Sequence, residues 1–203
     1  MNGSRRTAAA LLLSACAGFS TAETAAVVAA TTILAATAAP QIEDYLENAR
    51  GVKALGDVRV IALSIVRLWS DVGQIALDQK VPAKLLVTEG EIPDAAEPAA
   101  RPWTLPQDNR EAQSMAAHLV DNEAGYPVGG RNVTRWRGPY LEGLSADPWG
   151  SRYAANVGLL RSGTGHVVIV LSPGPNRLIE TPYETIGLKT GGDDVIGLVG
   201  RGR

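Results

Sequence analysis

The chain has 203 residues, a length that suits one medium domain or one domain with an appendage. Hydrophobic residues make up 45% and charged residues 20%, which excludes a globally disordered chain and a multi-span membrane protein. A formal net charge of -2 leaves no electrostatic footprint for nucleic acid, and the single cysteine excludes an intrachain disulfide and a cysteine-based zinc site. Only two histidines occur, His118 and His166, far apart in the chain, so metal catalysis by a histidine cluster is not expected.

Arg5 and Arg6 open the chain and a short apolar stretch, residues 7–17, follows them. Residues 19–39 are rich in Ala, Val, Thr, Ile and Leu, with Glu23 as the only charge. As a helix rising 1.5 Å per residue this run covers roughly 30 Å, the thickness of a bilayer's hydrocarbon core. An ordinary secretory signal ends at a small-residue cleavage site and is removed. Here the apolar run passes without a break into an amphipathic one, so it reads as retained. A carboxylate in such a helix costs a few kcal/mol and needs a purpose or a partner. Pro40 removes one helical N–H and crowds the preceding turn, which predicts a kink or partial unwinding there.

Gly18-Phe19 precedes Ser20-Thr21-Ala22-Glu23, and Pro40 closes the apolar run. This pattern resembles the N-terminus of type IV pilins and pseudopilins. The resemblance implies that a prepilin peptidase cuts after Gly18 and that Phe19 becomes the methylated N-terminus. Residues 1–18 would be the leader, 19–40 the transmembrane and filament-core helix, and 41–203 the amphipathic half of the helix with a periplasmic head. Counted from Phe19, Glu23 is the fifth residue, and the resemblance gives it the role of pairing with a neighbouring subunit's α-amine in a filament. A competing pattern is Leu13-Ser14-Ala15-Cys16, which fits a bacterial lipobox and would make Cys16 the lipidated N-terminus of an envelope binding protein.

Beyond Pro40, Ile42, Tyr45, Ala49, Val52, Leu55, Val58, Ala62, Ile65, Leu68 and Val72 recur at helical spacing, with charged residues filling most of the other positions. The spacing predicts one helix from about residue 21 to about residue 72, weakened locally by Gly51 and Gly56. Residues 78–108 carry Pro82, Pro93, Pro98, Pro102 and Pro106, so only short helices fit between them. Residues 109–122 read as a second helix with Met115, Leu119 and Val120 as core contacts, and residues 125–138 as a loop. Asn132-Val133-Thr134 matches a glycosylation acceptor by chance. The last third alternates short apolar runs with turns: residues 153–160, 166–171 and 195–199, the first two joined through Gly163-Thr164-Gly165. Val167-Val168-Ile169-Val170-Leu171 is continuous enough for a central strand. The expected fold class is α+β, with a long N-terminal helix packed on a small antiparallel sheet.

Gly138-Pro139-Tyr140-Leu141 is followed by Asp147-Pro148-Trp149-Gly150 and Tyr153. Asp-Pro starts a turn, Gly150 supplies a permissive backbone, and Trp149 and Tyr153 offer large apolar faces to clamp sheet onto helix. This series resembles the major pseudopilin of type II secretion, and with the N-terminus the resemblance spans about half the chain. It implies a pilin-like fold and a subunit of the bacterial inner membrane, crossing it once. The implied partners are copies of itself, other pseudopilins, the prepilin peptidase and the inner-membrane assembly platform; a surface-displayed type IV pilin is the alternative in the same superfamily. It further implies a calcium loop built from two segments, Leu171 to Asn176 and Gly191 to Ile196, with Asn176, Asp193 and Asp194 as ligands. Asn176 and Arg177 stand where that family has Asp and Gly. No catalysis is expected: Glu180 and Glu184 lie near Thr181 and Tyr183 with no histidine or cysteine to complete a triad.

Overall fold

The computed structural model describes residues 20–73, 83–106, 110–129, 134–161 and 163–202. The predicted processing site at Gly18 and Phe19, together with Cys16, Pro82, Asn132 and Val133, lies outside the described residues. The chain divides into two compact units, Met1–Glu47 and Asn48–Arg203.

Helix α1 runs from Thr21 to Val72, 52 residues, and continues through Pro40. The partial unwinding predicted at that proline is not found. In the first unit every described residue before Glu47 is exposed. The threonines of this apolar stretch turn their hydroxyls back onto the helix: Thr32 Oγ1 donates to the Val28 carbonyl at 2.7 Å and Thr31 Oγ1 to Val27 and Val28 at 2.9 Å. A hydroxyl bonded to its own backbone exposes less polarity to an apolar surrounding.

In the second unit α1 buries Ala54, Val58, Ile61, Ala62, Ile65, Leu68 and Val72, an i, i+3, i+4 stripe. The stripe shares one core with a five-stranded sheet. Its members are β1 (Leu85–Val87), β3 (Ala112–Ser114), β4 (Ala154–Ala155), β5 (Val167–Ser172) and β7 (Val195–Arg201), in the spatial order β3-β1-β4-β5-β7. The predicted central strand is β5: all six residues are buried, with β4 and β7 antiparallel on its two edges. At Gly197 of β7 an added Cβ would stand 2.5 Å from the Val58 carbonyl oxygen, so the absent side chain lets helix and sheet close on each other.

Three expectations are corrected here. The sheet is mixed rather than antiparallel, because β1 pairs parallel with β3. The second helix expected over residues 109–122 is not formed as one element: among the described residues 110–122, β3 comes first and only Met115–Leu119 (α2) is helical. The predicted run 153–160 is likewise a two-residue strand, β4, followed by the 3-10 turn Val157–Arg161.

The proline-rich segment holds β1, the short strand β2 (Asp94–Ala95), and a 3-10 helix, Pro98–Thr104. Strand β2 pairs parallel with β6 (Leu178–Ile179) in a separate two-stranded sheet. The 3-10 helix inserts Trp103, 0% exposed, into the core, where the ring meets Tyr183 edge-on at 5.1 Å and its Nε1 donates to the Thr181 carbonyl at 3.0 Å. Asn156 ties the sheet internally. Its Nδ2 donates to the carbonyls of Val167 and Tyr183, and its Oδ1 accepts the Ile169 N–H.

Candidate functional site

Glu23 sits in the first turn of α1, where the sequence Ser-x-x-Glu closes a capping box. Its Oε2 accepts from the Ser20 N–H at 2.8 Å and the Ser20 hydroxyl at 2.9 Å, while the Glu23 N–H donates to Ser20 Oγ at 3.2 Å. The free N–H groups that begin any helix are thereby partly satisfied, and the carboxylate lies at the positive end of the helix dipole. This local partner was legible in the spacing of Ser20 and Glu23, and sequence reasoning missed it. A capped Glu23 is still fully exposed and projects from the helix that would enter a membrane.

The aromatic motifs dock on α1 through two aspartates. Tyr140 donates its hydroxyl to Asp71 Oδ2 at 3.0 Å, and its carbonyl accepts from Ser64 Oγ at 3.2 Å. Tyr153, 1% exposed, donates to Asp57 Oδ2 at 2.8 Å. Asp57 and Asp71 stand about four turns apart on the helix, so both tyrosines find them on nearly the same side. Burial and the neighbouring Asp57 push the Tyr153 hydroxyl far above its ordinary pKa, so it stays a donor. Trp149 is only half-buried. The clamping role expected of Trp149 and Tyr153 together therefore falls on Tyr153.

Asp147 is 5% exposed and fully engaged. Its Oδ1 accepts the N–H groups of Trp149 and Ser151 at 3.0 and 2.8 Å, and its Oδ2 accepts the Ser172 hydroxyl at 2.7 Å. Burial raises its pKa, and these hydrogen bonds offset only part of the rise. Pro148 fixes the turn and Gly150 takes the left-handed conformation at φ 93°. The motif is thus a buried Asx turn that ties the loop to the end of β5.

The two segments of the expected calcium loop do abut: a Cβ at Gly174 would collide with the Asp193 carbonyl. Asp194 is buried. Its Oδ2 accepts the N–H groups of Glu180 and Thr181 at 3.0 and 2.7 Å, and its Oδ1 has no partner. Desolvation raises the Asp194 pKa, and the charge of Glu180 adds to the rise. Sequence reasoning passed over Glu180 in this context. Its carboxylate lies over the Gly191-Gly192 turn, and a Cβ at Gly191 would collide with the Glu180 backbone. Asn176 faces other partners, its Oδ1 accepting the Leu178 N–H at 2.7 Å and its Nδ2 donating to Glu180 Oε2 at 3.3 Å. Arg177 holds φ 58°, a left-handed conformation that suits glycine, and its guanidinium pairs with Glu91 at 2.9 Å. Asp194 Oδ1 is thus left without a partner, and among the described residues no group of three or more acidic, histidine or cysteine side chains converges as a metal cage.

Two further polar residues are buried: His118, which the sequence led us to expect on a helix surface, and Arg152, which it did not single out. His118 is held between the Tyr126 hydroxyl at 2.6 Å (Nδ1) and Gln113 Oε1 at 2.8 Å (Nε2), and burial lowers its pKa to about 4. Arg152 donates Nη2 to the carbonyls of Trp103 and Leu105 at 2.9 and 2.6 Å, and burial lowers its pKa to about 10. Both serve the packing of the head. The chain matches no protein-family model, no curated protein and no solved structure.

Proposed function

We propose that the protein is a structural pseudopilin. The apolar half of α1 anchors it in the bacterial inner membrane with the head in the periplasm. It polymerises with its own copies and with other pseudopilins, on the assembly platform of a type II secretion-like system, into a filament that drives protein export. The observation that carries this reading is α1. One helix of 52 residues is long and apolar enough to cross a membrane, is fully exposed before Glu47, and then packs on a sheet through a single stripe. An apolar helix face of that extent needs lipid or other helices around it. The lone cysteine speaks against the disulfide-closed loop common in surface pilins.

N-terminal sequencing of the mature protein tests the reading. Phe19 is the expected first residue, its amine methylated, and Gly18→Glu is expected to leave uncut precursor in the membrane. A lipidated Cys16 as the first residue would replace this reading with that of a lipid-anchored envelope protein. The same reading includes a calcium ion at the turn that carries Asp193 and Asp194, whose unpartnered Asp194 Oδ1 supports it, with Asn176 as the third ligand that the resemblance implies.

A further inference from the structure

Of the two histidines, His118 is buried, and each of its ring nitrogens has a neighbour that fixes its state. The Gln113 amide oxygen, 2.8 Å from Nε2, can only accept, so Nε2 carries the hydrogen. Nδ1 is then an acceptor and takes the Tyr126 hydroxyl at 2.6 Å. Burial and the neighbouring Tyr140 hold the Tyr126 hydroxyl far above its ordinary pKa, so it remains a donor. A second proton on the ring would set Nδ1–H against that O–H at a site closed to solvent. The hydroxyl could turn to accept it only by leaving its own hydrogen without a partner, on a residue 3% exposed.

Among the described residues no carboxylate stands ready to compensate that charge. Glu111, ahead of β3, pairs with Lys84 at 2.7 Å, and Asp71 of α1 is engaged by Tyr140 and Arg137. Asp121 and Glu123, on the loop after α2, are exposed, as is Arg110. Burial alone displaces the His118 pKa, downward to about 4. The imidazole sits beneath the seat of a strap. Its own carbonyl accepts Trp136 Nε1 at 3.1 Å, and the Leu119 carbonyl accepts the Tyr140 N–H at 2.8 Å. Tyr140 in turn reaches α1 at Ser64 and Asp71. The turn that brings Tyr126 to the ring is held left-handed at Asn122, φ 55°, by two bonds between the Asn122 amide and the Tyr126 backbone. That conformation is costly for a residue other than glycine and relaxes once the turn lets go. We infer that His118 is an acid-sensitive latch: a second proton on its ring expels α2 and the turn to Tyr126, and with them frees the Trp136–Tyr140 segment from α1. The released ring takes its proton at the ordinary 6.5 and the closed one only at about 4, so the closed form is fully favoured above 6.5 and loses ground as pH falls towards 4. Between pH 7 and pH 5 the ratio of released to closed form rises on the order of twentyfold.

The test uses the full chain in detergent micelles and reads amide hydrogen exchange by mass spectrometry at pH 7 and pH 5, corrected for the intrinsic pH dependence of exchange. Amides of residues 115–126 and 134–140 are expected to lose about twentyfold in protection on acidification, while those of β5 change by less than about twofold. His118→Gln keeps a neutral amide beside Gln113 and is expected to abolish the pH response, whatever it does to protection at pH 7. His166→Gln, which removes the other histidine, is expected to keep it. Tyr126→Phe takes away the hydroxyl that requires a bare Nδ1, and is expected to start the loss at a higher pH. A response that survives His118→Gln, or one that Tyr126→Phe leaves unmoved, would overturn the inference. So would an equal loss at β5, which would make His118 a buried group whose charging unfolds the whole head. None of these outcomes depends on whether the chain forms a filament.

Discussion

How much a tryptophan contributes to a fold depends on how much of its ring leaves water, and Trp103 and Trp149 differ sharply in this. Trp103 is wholly buried, meets Tyr183 edge-on and spends its N–H on Thr181, whereas Trp149 keeps part of its ring in solvent. In a fragment comprising residues 44–203, Trp103→Ala is expected to lower unfolding free energy by ~3–5 kcal/mol, because ring contacts vanish and a cavity remains. Trp149→Ala is expected to cost about 1 kcal/mol. Urea titrations that rank the two the other way would return the clamp to the Asp-Pro-Trp-Gly turn. The ranking was hidden in the sequence because an aromatic after Asp-Pro looks structured, while Trp103 lies among prolines that look like a loop. Burial follows from what the 3-10 helix packs against, which no local pattern records. Arg177 shows the opposite case. The resemblance sets it where the family has glycine, and the backbone at Arg177 is left-handed at φ 58°, a conformation that suits glycine.

Elements were legible in proportion to their length. A continuous apolar run followed, beyond Pro40, by about thirty residues of helical spacing announces α1, and five consecutive aliphatics announce β5. Strands β1 and β3 have three residues each, too few for any period to show, and their parallel pairing depends on contacts between distant parts of the chain. Missing them turned a mixed sheet into an expected antiparallel one. At the start of α1 the proposed filament contact and the observed capping box make different demands on the same carboxylate. Ser20→Ala removes the cap alone, at about 1 kcal/mol of helix stability, and is expected to leave filament assembly near wild type. Glu23→Ala removes the cap and the proposed partner of the neighbouring amine, and is expected to insert normally but to stop assembly. Quantifying sheared filaments from both variants separates the two roles. Equal defects would mean that the cap is all Glu23 provides.

At the scale of the whole molecule, the loops around Asp194 decide how the last third of the chain is held. A buried carboxylate oxygen without a partner, next to a second carboxylate, is an unfavourable arrangement that a cation relieves. A cation that binds only the folded state adds stability in proportion to the logarithm of its concentration. Millimolar calcium is therefore expected to raise the melting temperature of fragment 44–203, and magnesium, with its stricter octahedral demand, to raise it less. Asp194→Ala is expected to lower the melting temperature by losing two amide hydrogen bonds, and also to erase the calcium response. Superimposable melting curves in calcium and chelator would remove the ion from the proposal. The Asn156 side chain has a different consequence. It bonds at once to Val167, Ile169 and Tyr183, three points on two separate stretches of chain. If β5 peeled away alone, the Asn156 amide and its partners would be left unsatisfied, at about 1–3 kcal/mol for each buried group. Partial opening is therefore less favourable than opening the whole patch. The amides of β4, β5 and the stretch around Tyr183 should exchange their hydrogens with solvent as one cooperative unit, at a single free energy close to that of global unfolding.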